Sequence, residues 1–138
     1  MIDIYSDGAC SGNPGPGSWA YVVFENGAQV NQDSGFCAFT TNNKMELQGV
    51  IEVLKKYKKC NLYVDSKYVK DGINLWINNW KKNNWKTASK SPVKNQELWM
   101  ELDELNNGEI NWLWIKGHNN SLHDLADILA VETLNKNR

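Results

Sequence analysis

Asn61-Leu62-Tyr63-Val64-Asp65 is a short apolar run that ends on a carboxylate, and the residues after it, up to Trp80, space their apolar and polar side chains at a helical period. A strand that feeds a helix in this way implies a crossover connection, which belongs to α/β architecture. Upstream, residues 43–58 also read as a helix, because Leu47, Val50, Ile51 and Leu54 fall at i, i+3, i+4 and i+7. Asn43 and Glu46 have the spacing of a capping box at its start. Before that helix, Ile2 to Ser6 alternates in the manner of a strand that ends at Asp7, and Gly8 to Gly17 is rich in turn residues. Trp19–Glu25, the Asn26-Gly27 turn and a return run from Gln29 to about Ala38 complete three antiparallel strands. Downstream, residues 96–105 read as a helix and 109–116 as a Trp-rich strand. The last helix spans 122–134, with Leu122, Leu125, Ala126 and Leu129 on its apolar face. The order β-β-β-α-β-α-α-β-α predicts an α/β fold with a five-stranded mixed sheet flanked by helices.

The composition fits that architecture. At 138 residues the chain is expected to form one domain, 1–138, with 41% hydrophobic and 22% charged residues near globular averages. No run approaches the roughly eighteen apolar residues of a membrane span. The opening Met-Ile-Asp-Ile-Tyr lacks the pattern of a signal peptide, so a cytoplasmic, soluble and monomeric protein is expected. Cys10, Cys37 and Cys60 form an odd set without metal-ligand spacing and read as reduced thiols. Net charge is −1, but its distribution is uneven: from Gly72 to Gln96 there are five lysines (Lys81, Lys82, Lys86, Lys90 and Lys94) and no acid. Trp76, Trp80 and Trp85 interleave with them, which suits a surface for stacking and phosphate binding, core packing being the other reading.

Asp7 and Asp65 end two strands, and strand ends in mixed sheets face the crevice where ligands bind. Paired carboxylates there suit magnesium, which takes carboxylates together with phosphate oxygens. Each Asp alone reads more readily as a cap, and Glu46 as the partner in its own capping box. Asp127 lies inside a helix between Ala126 and Ile128, where a lone acid gains little from the fold, and Asp124 sits one turn before it. His118 has three readings: proton shuttle, metal ligand or ordinary loop residue.

Taken together, these segments resemble ribonuclease H type 1, the bacterial ribonuclease HI form, over nearly the whole chain. Asp7-Gly8 with the following Gly-Asn-Pro-Gly-Pro-Gly resembles the family's first motif, and Thr40-Thr41-Asn42-Asn43-Lys44-Met45-Glu46-Leu47 its second. Val64-Asp65-Ser66-Lys67-Tyr68-Val69 resembles the third, residues 76–94 the basic handle, and Lys116-Gly117-His118 with Asp127 the last. The resemblance implies that Asp7, Glu46, Asp65 and Asp127 ligate two Mg²⁺ ions, for which Mn²⁺ substitutes, and that His118 assists catalysis. The implied substrate is an RNA/DNA hybrid whose RNA strand is cut to 5′-phosphate and 3′-hydroxyl ends. Gly8, Cys10, Asn13 and Asn42 would meet the hybrid, Thr41 with Asn42 and Lys44 would hold a DNA phosphate, and Trp76, Trp80, Lys81, Lys82, Trp85 and Lys86 would bind through the handle. The sequence departs from the family in three places. The stretch from His118 to Asp127 is about one residue short, His123 stands where Asn is usual, and Lys67 replaces a common Gln. An integrase or junction resolvase shares the superfold, and a non-cutting hybrid binder is the rival from another class. The Thr-Thr-Asn-Asn segment and the handle argue against the first, and four carboxylates facing a polyanion argue against the second.

Overall fold

A computed structural model describes residues 1–116 and 120–138. Strands β1 (Ile2–Cys10), β2 (Gly15–Glu25), β3 (Ala28–Thr40), β4 (Cys60–Val64) and β5 (Ile110–Trp114) form one sheet in the order β3-β2-β1-β4-β5. The first three pair antiparallel, while β4 runs parallel to both β1 and β5. The helices are α1 (Asn42–Lys56), α2 (Lys67–Asp71), α3 (Ile77–Lys82), α4 (Gln96–Leu105) and α5 (Ser121–Asn137). A π-helical turn, Gly72–Trp76, joins α2 to α3 in one continuous helical run. With that run counted once, the predicted order of elements is the observed one.

Strand alternation sends side chains to two layers. Ile4, Tyr21, Val23, Leu62 and Val64 pack with Leu47, Val50, Ile51 and Leu54 of α1 and with Trp99 and Leu102 of α4. Tyr5, Val22 and Phe24 face the other way, against Ala126 of α5. No helix among the described residues is long and apolar enough to cross a membrane.

The structure corrects three expectations. First, β1 does not end at Asp7: its pairing with β2 continues through Gly8↔Trp19 to Cys10↔Gly17, so only Ser11–Pro14 turns. Gly8 serves close approach rather than reversal, since a Cβ there would stand 2.8 Å from the backbone N of Glu46, whereas Gly12, at φ +70°, sits in the turn itself. Second, α1 is capped by Thr41, whose Oγ1 accepts from Lys44 N at 3.2 Å, so the Asn43/Glu46 capping box is not formed and Glu46 is released from it. Third, the buried face of α5 is His123, Ala126, Ala130 and Leu134, while Leu122 and Leu125 are exposed. Small side chains let α5 lie close to the sheet, where the Ser18 hydroxyl donates to the Ala130 carbonyl and Thr133 donates to Ser34 at 2.8 Å.

Candidate active site

Asp7, Glu46, Asp65 and Asp127 come from β1, α1, the end of β4 and α5, and line one open cleft together with Gly8, Asn42, Asn43, Ser66, Lys67 and Tyr68. The parallel pairing of β1 with β4, from Asp3↔Asn61 to Tyr5↔Tyr63, sets Asp7 beside Asp65 at the same end of the sheet. Asp65 is not a cap, because Ser66 takes that role by accepting from Val69 N at 3.2 Å. Glu46 is 5% exposed and reaches back to β1, where the Gly8 N–H donates to Glu46 Oε1 and to Asp7 Oδ1, each at 2.9 Å. Asp127 reaches the cleft and is half-buried; Asp124, one turn earlier, is not among the residues lining it.

Such crowding is costly for ionised groups without a counter-charge. Burial pushes the Asp7 carboxyl up to about 6, with the Asp65 charge adding to it; a hydrogen bond with Glu46, the His123 imidazole and the Gly8 N–H oppose the shift. Glu46 is raised well above the usual carboxylate range by burial, by the Asp7 charge and by its hydrogen bond to Asp7. The pair therefore shares a proton when nothing else neutralises it. Carboxyls crowded so closely that they are driven to take up protons fit a hard divalent cation, which would replace those protons.

His123 is the residue that sequence reasoning undervalued. It appears there only as a departure from the family, yet it is 2% exposed and lies among the acids. Its Nε2 is 3.1 Å from the Ser6 carbonyl and 3.7 Å from Asp65 Oδ1, and a ligand atom from each of Asp7, Asp65 and His123 falls within 4.8 Å of the others. A carbonyl only accepts, so Nε2 carries a hydrogen and donates it to Ser6. That use makes the ring a tether between α5 and β1. The signal was its position four residues before Asp127, on the same helical face.

The RNase H family model matches residues 1–135 of the chain. A Ribonuclease H of Treponema denticola is 48% identical, with 98% of each chain covered. The chain belongs to the RNase H family. The family is one of endoribonucleases, hydrolases by reaction. Among solved RNase H structures, LC9-RNase H1, described as a type 1 RNase H with the type 2 active-site motif, has a TM-score of 0.85 at 28% identity and covers 99% of this chain and 73% of its own. LC11-RNase H1, solved in complex with an RNA/DNA hybrid, has a TM-score of 0.75 at 20% identity, covering 99% and 98%, and shares the fold.

The remaining predicted residues of this RNase H chain lie around the carboxylate cleft. Asn13 accepts from Asn42 N at 3.0 Å, which ties the turn between β1 and β2 to the start of α1. Cys10 sits beside the carbonyls of Gly12, Gly15 and Thr40. Thr41 is the helix cap, and Lys44 faces a neighbouring cavity with Val93, Asn95 and Gln96. Trp76, Trp80 and Trp85 are half-buried and meet in sequence as tilted ring pairs with centroids 5.8 and 6.2 Å apart, and Trp80 also packs on Trp99 at 5.4 Å. Trp80 and Trp85 pack against the core's margin. Lys82 and Lys86 are exposed around one cavity, whereas Lys81 is engaged with Asp103 at 3.2 Å. Tyr68 links handle to cleft: it lines the cleft, its ring meets that of Trp76 with centroids 5.9 Å apart, and its hydroxyl accepts from Trp99 Nε1 and Asn95 Nδ2, each at 3.0 Å. His118 lies outside the described residues.

Proposed function

We propose that the chain hydrolyses the RNA strand of RNA/DNA hybrids, leaving 5′-phosphate and 3′-hydroxyl ends, with the whole chain acting as one RNase H domain. The observation that carries this reading is the convergence of Asp7, Glu46, Asp65 and Asp127 on one cleft from four separate elements, with burial and mutual charge pushing Asp7 and Glu46 above the ordinary carboxylate range. Two Mg²⁺ ions held by these carboxylates would supply an activated water and stabilise the leaving 3′ oxygen.

The chain's own residues do the positioning. The Gly8 N–H, bonded to both Asp7 and Glu46, fixes the separation of two ligands before any cation arrives. Asn42, at the cleft and held by Asn13, presents polar groups where a strand bearing 2′-hydroxyls would be recognised, and the Thr41 region and the handle accept the strand without them. Half-buried tryptophans stiffen the handle, leaving Lys82 and Lys86 to meet phosphates.

The test uses end-labelled RNA/DNA hybrid, duplex RNA and duplex DNA with and without Mg²⁺, with Asp7→Asn alongside. Fast Mg²⁺-dependent cutting confined to the RNA of the hybrid, and abolished in Asp7→Asn, is expected. Comparable rates on duplex DNA would transfer the chain to the resolvase or integrase reading.

A further inference from the structure

Beside the carboxylate cleft lies a second cavity of about 460 Å³, walled by Val64, Asp65, Ser66, Lys67, Lys70, Trp114, Ile115 and Lys116. Its three lysines come from different points of the chain: the start and the body of α2, and the segment after β5. All three are exposed, and among the described residues none of them forms an ion pair or a side-chain hydrogen bond. This contrasts with Lys55, Lys59 and Lys81, each of which has a carboxylate within 4 Å. Three ammonium groups around one hollow repel each other unless an anion sits between them. The sole acid in the wall, Asp65, belongs also to the catalytic cleft.

The two hollows share Asp65, Ser66 and Lys67, so a polymer with its scissile phosphate at the carboxylates reaches the lysine cavity within its next units. We infer that Lys67, Lys70 and Lys116 form a subsite for a backbone phosphate of the cleaved strand next to the one that is cut. The inference rests on the proposed function and deepens it. Half-buried Trp114, stacked on Trp112 with centroids 5.6 Å apart, forms a stiff wall that holds the hollow open. Placing positive charge immediately beside a cluster of acids has a mechanical use. It draws the polyanion toward a cleft whose own carboxylates repel it, and it fixes the strand's register by a phosphate that is not reacting.

The test is a coupling measurement in an Asp7→Asn background, so that the hybrid stays intact. Lys70→Gln/Lys116→Gln is used because these two line the lysine cavity and not the carboxylate cleft. A single methylphosphonate, with a 2′-O-methyl on the preceding ribose, is walked along the RNA strand; controls carry the 2′-O-methyl with an ordinary phosphate. With the lysines present, neutralising one phosphate beside the cut should weaken binding about tenfold, the worth of a charge-assisted hydrogen bond. The double variant, which keeps only Lys67 of the three, should lose most of that sensitivity at the one position and stay sensitive elsewhere, and its log K against log salt slope should flatten by up to about 0.7–0.9 for the single phosphate concerned. An unchanged methylphosphonate profile, or a weakening spread evenly along the strand, would overturn the subsite and leave only a general field. Failure of the underlying reading looks different: the protein with Lys70 and Lys116 intact would show no preference for hybrid over duplex DNA.

Discussion

Replacing His123 by Ala removes a side chain that is 2% exposed and severs the bond from its Nε2 to the Ser6 carbonyl at 3.1 Å. The carbonyl lies under α5, where water does not replace the missing donor, so the unmade bond alone costs about 1–3 kcal/mol. The imidazole also fills volume between α5 and β1, and the void it leaves raises the expected total to roughly 2–4 kcal/mol. The Asp65 oxygen at 3.7 Å adds an electrostatic part that depends on the ring's charge. His123→Asn keeps an amide donor at the same position and should recover part of the stability. Equilibrium unfolding in urea, read at constant slope, measures all three chains. The same tether sets the depth of α5, on which Asp127 sits one turn later, so Mg²⁺ affinity by calorimetry should fall in His123→Ala and recover in His123→Asn. A His123→Ala protein within about 0.5 kcal/mol of the parent, the scale of a neutral surface change, would refute the tether.

The raised carboxyls predict a pH dependence of the metal-free protein. Asp7, at about 6 when folded, and Glu46, also raised, bind more protons folded than unfolded, so stability should fall as pH rises from about 4 through 6, by roughly 2–3 kcal/mol for Asp7 alone. Saturating Mg²⁺ should flatten that decline, as should Asp7→Asn; denaturant midpoints across pH check it, and a metal-free midpoint that rises over this window would contradict the assignment. For the last acid, Asp127→Ala should reduce Mg²⁺-dependent turnover far more than Asp124→Ala, since only Asp127 lines the cleft; the reverse ranking would place the ligand on Asp124. In the handle, Lys82→Gln/Lys86→Gln should flatten the salt dependence of hybrid binding by about 0.7–0.9 per phosphate released, while Lys81→Gln, already paired with Asp103, should change it least. Equal slopes for all of these proteins would make the handle lysines a solvated face.

Periodicity carried much of the fold. Ile2 to Ser6 alternates because one face meets α1 and the other α5, and Leu47, Val50, Ile51 and Leu54 repeat helically because α1 lies on the sheet. It failed where one residue type serves two purposes. Gly and Pro between Gly8 and Gly17 signal a turn, but Gly8 is small so that α1 can approach β1, and the strand passes straight through. In α5 Leu122 and Leu125 suggested the buried face, whereas both are exposed and the helix meets the sheet through Ala126 and Ala130. The convergence of the four carboxylates on one cleft was legible by resemblance and not from local pattern, because a capping acid and one turned into a cleft look alike until the real caps, Thr41 and Ser66, are seen. His123 and the lysine cavity were out of reach for the same reason: both arise from juxtapositions across the sheet that no window of sequence contains.

The parallel pairing of β1 with β4 joins residues 58 apart, and the bond from His123 to Ser6 spans 117. During synthesis, then, Asp7, Glu46 and Asp65 exist long before the helix that brings Asp127, and until α5 is made the face bearing Tyr5, Val22 and Phe24 has nothing to cover it. The segment that covers this face of the sheet is thus also the one that carries the last of the four acids into the cleft.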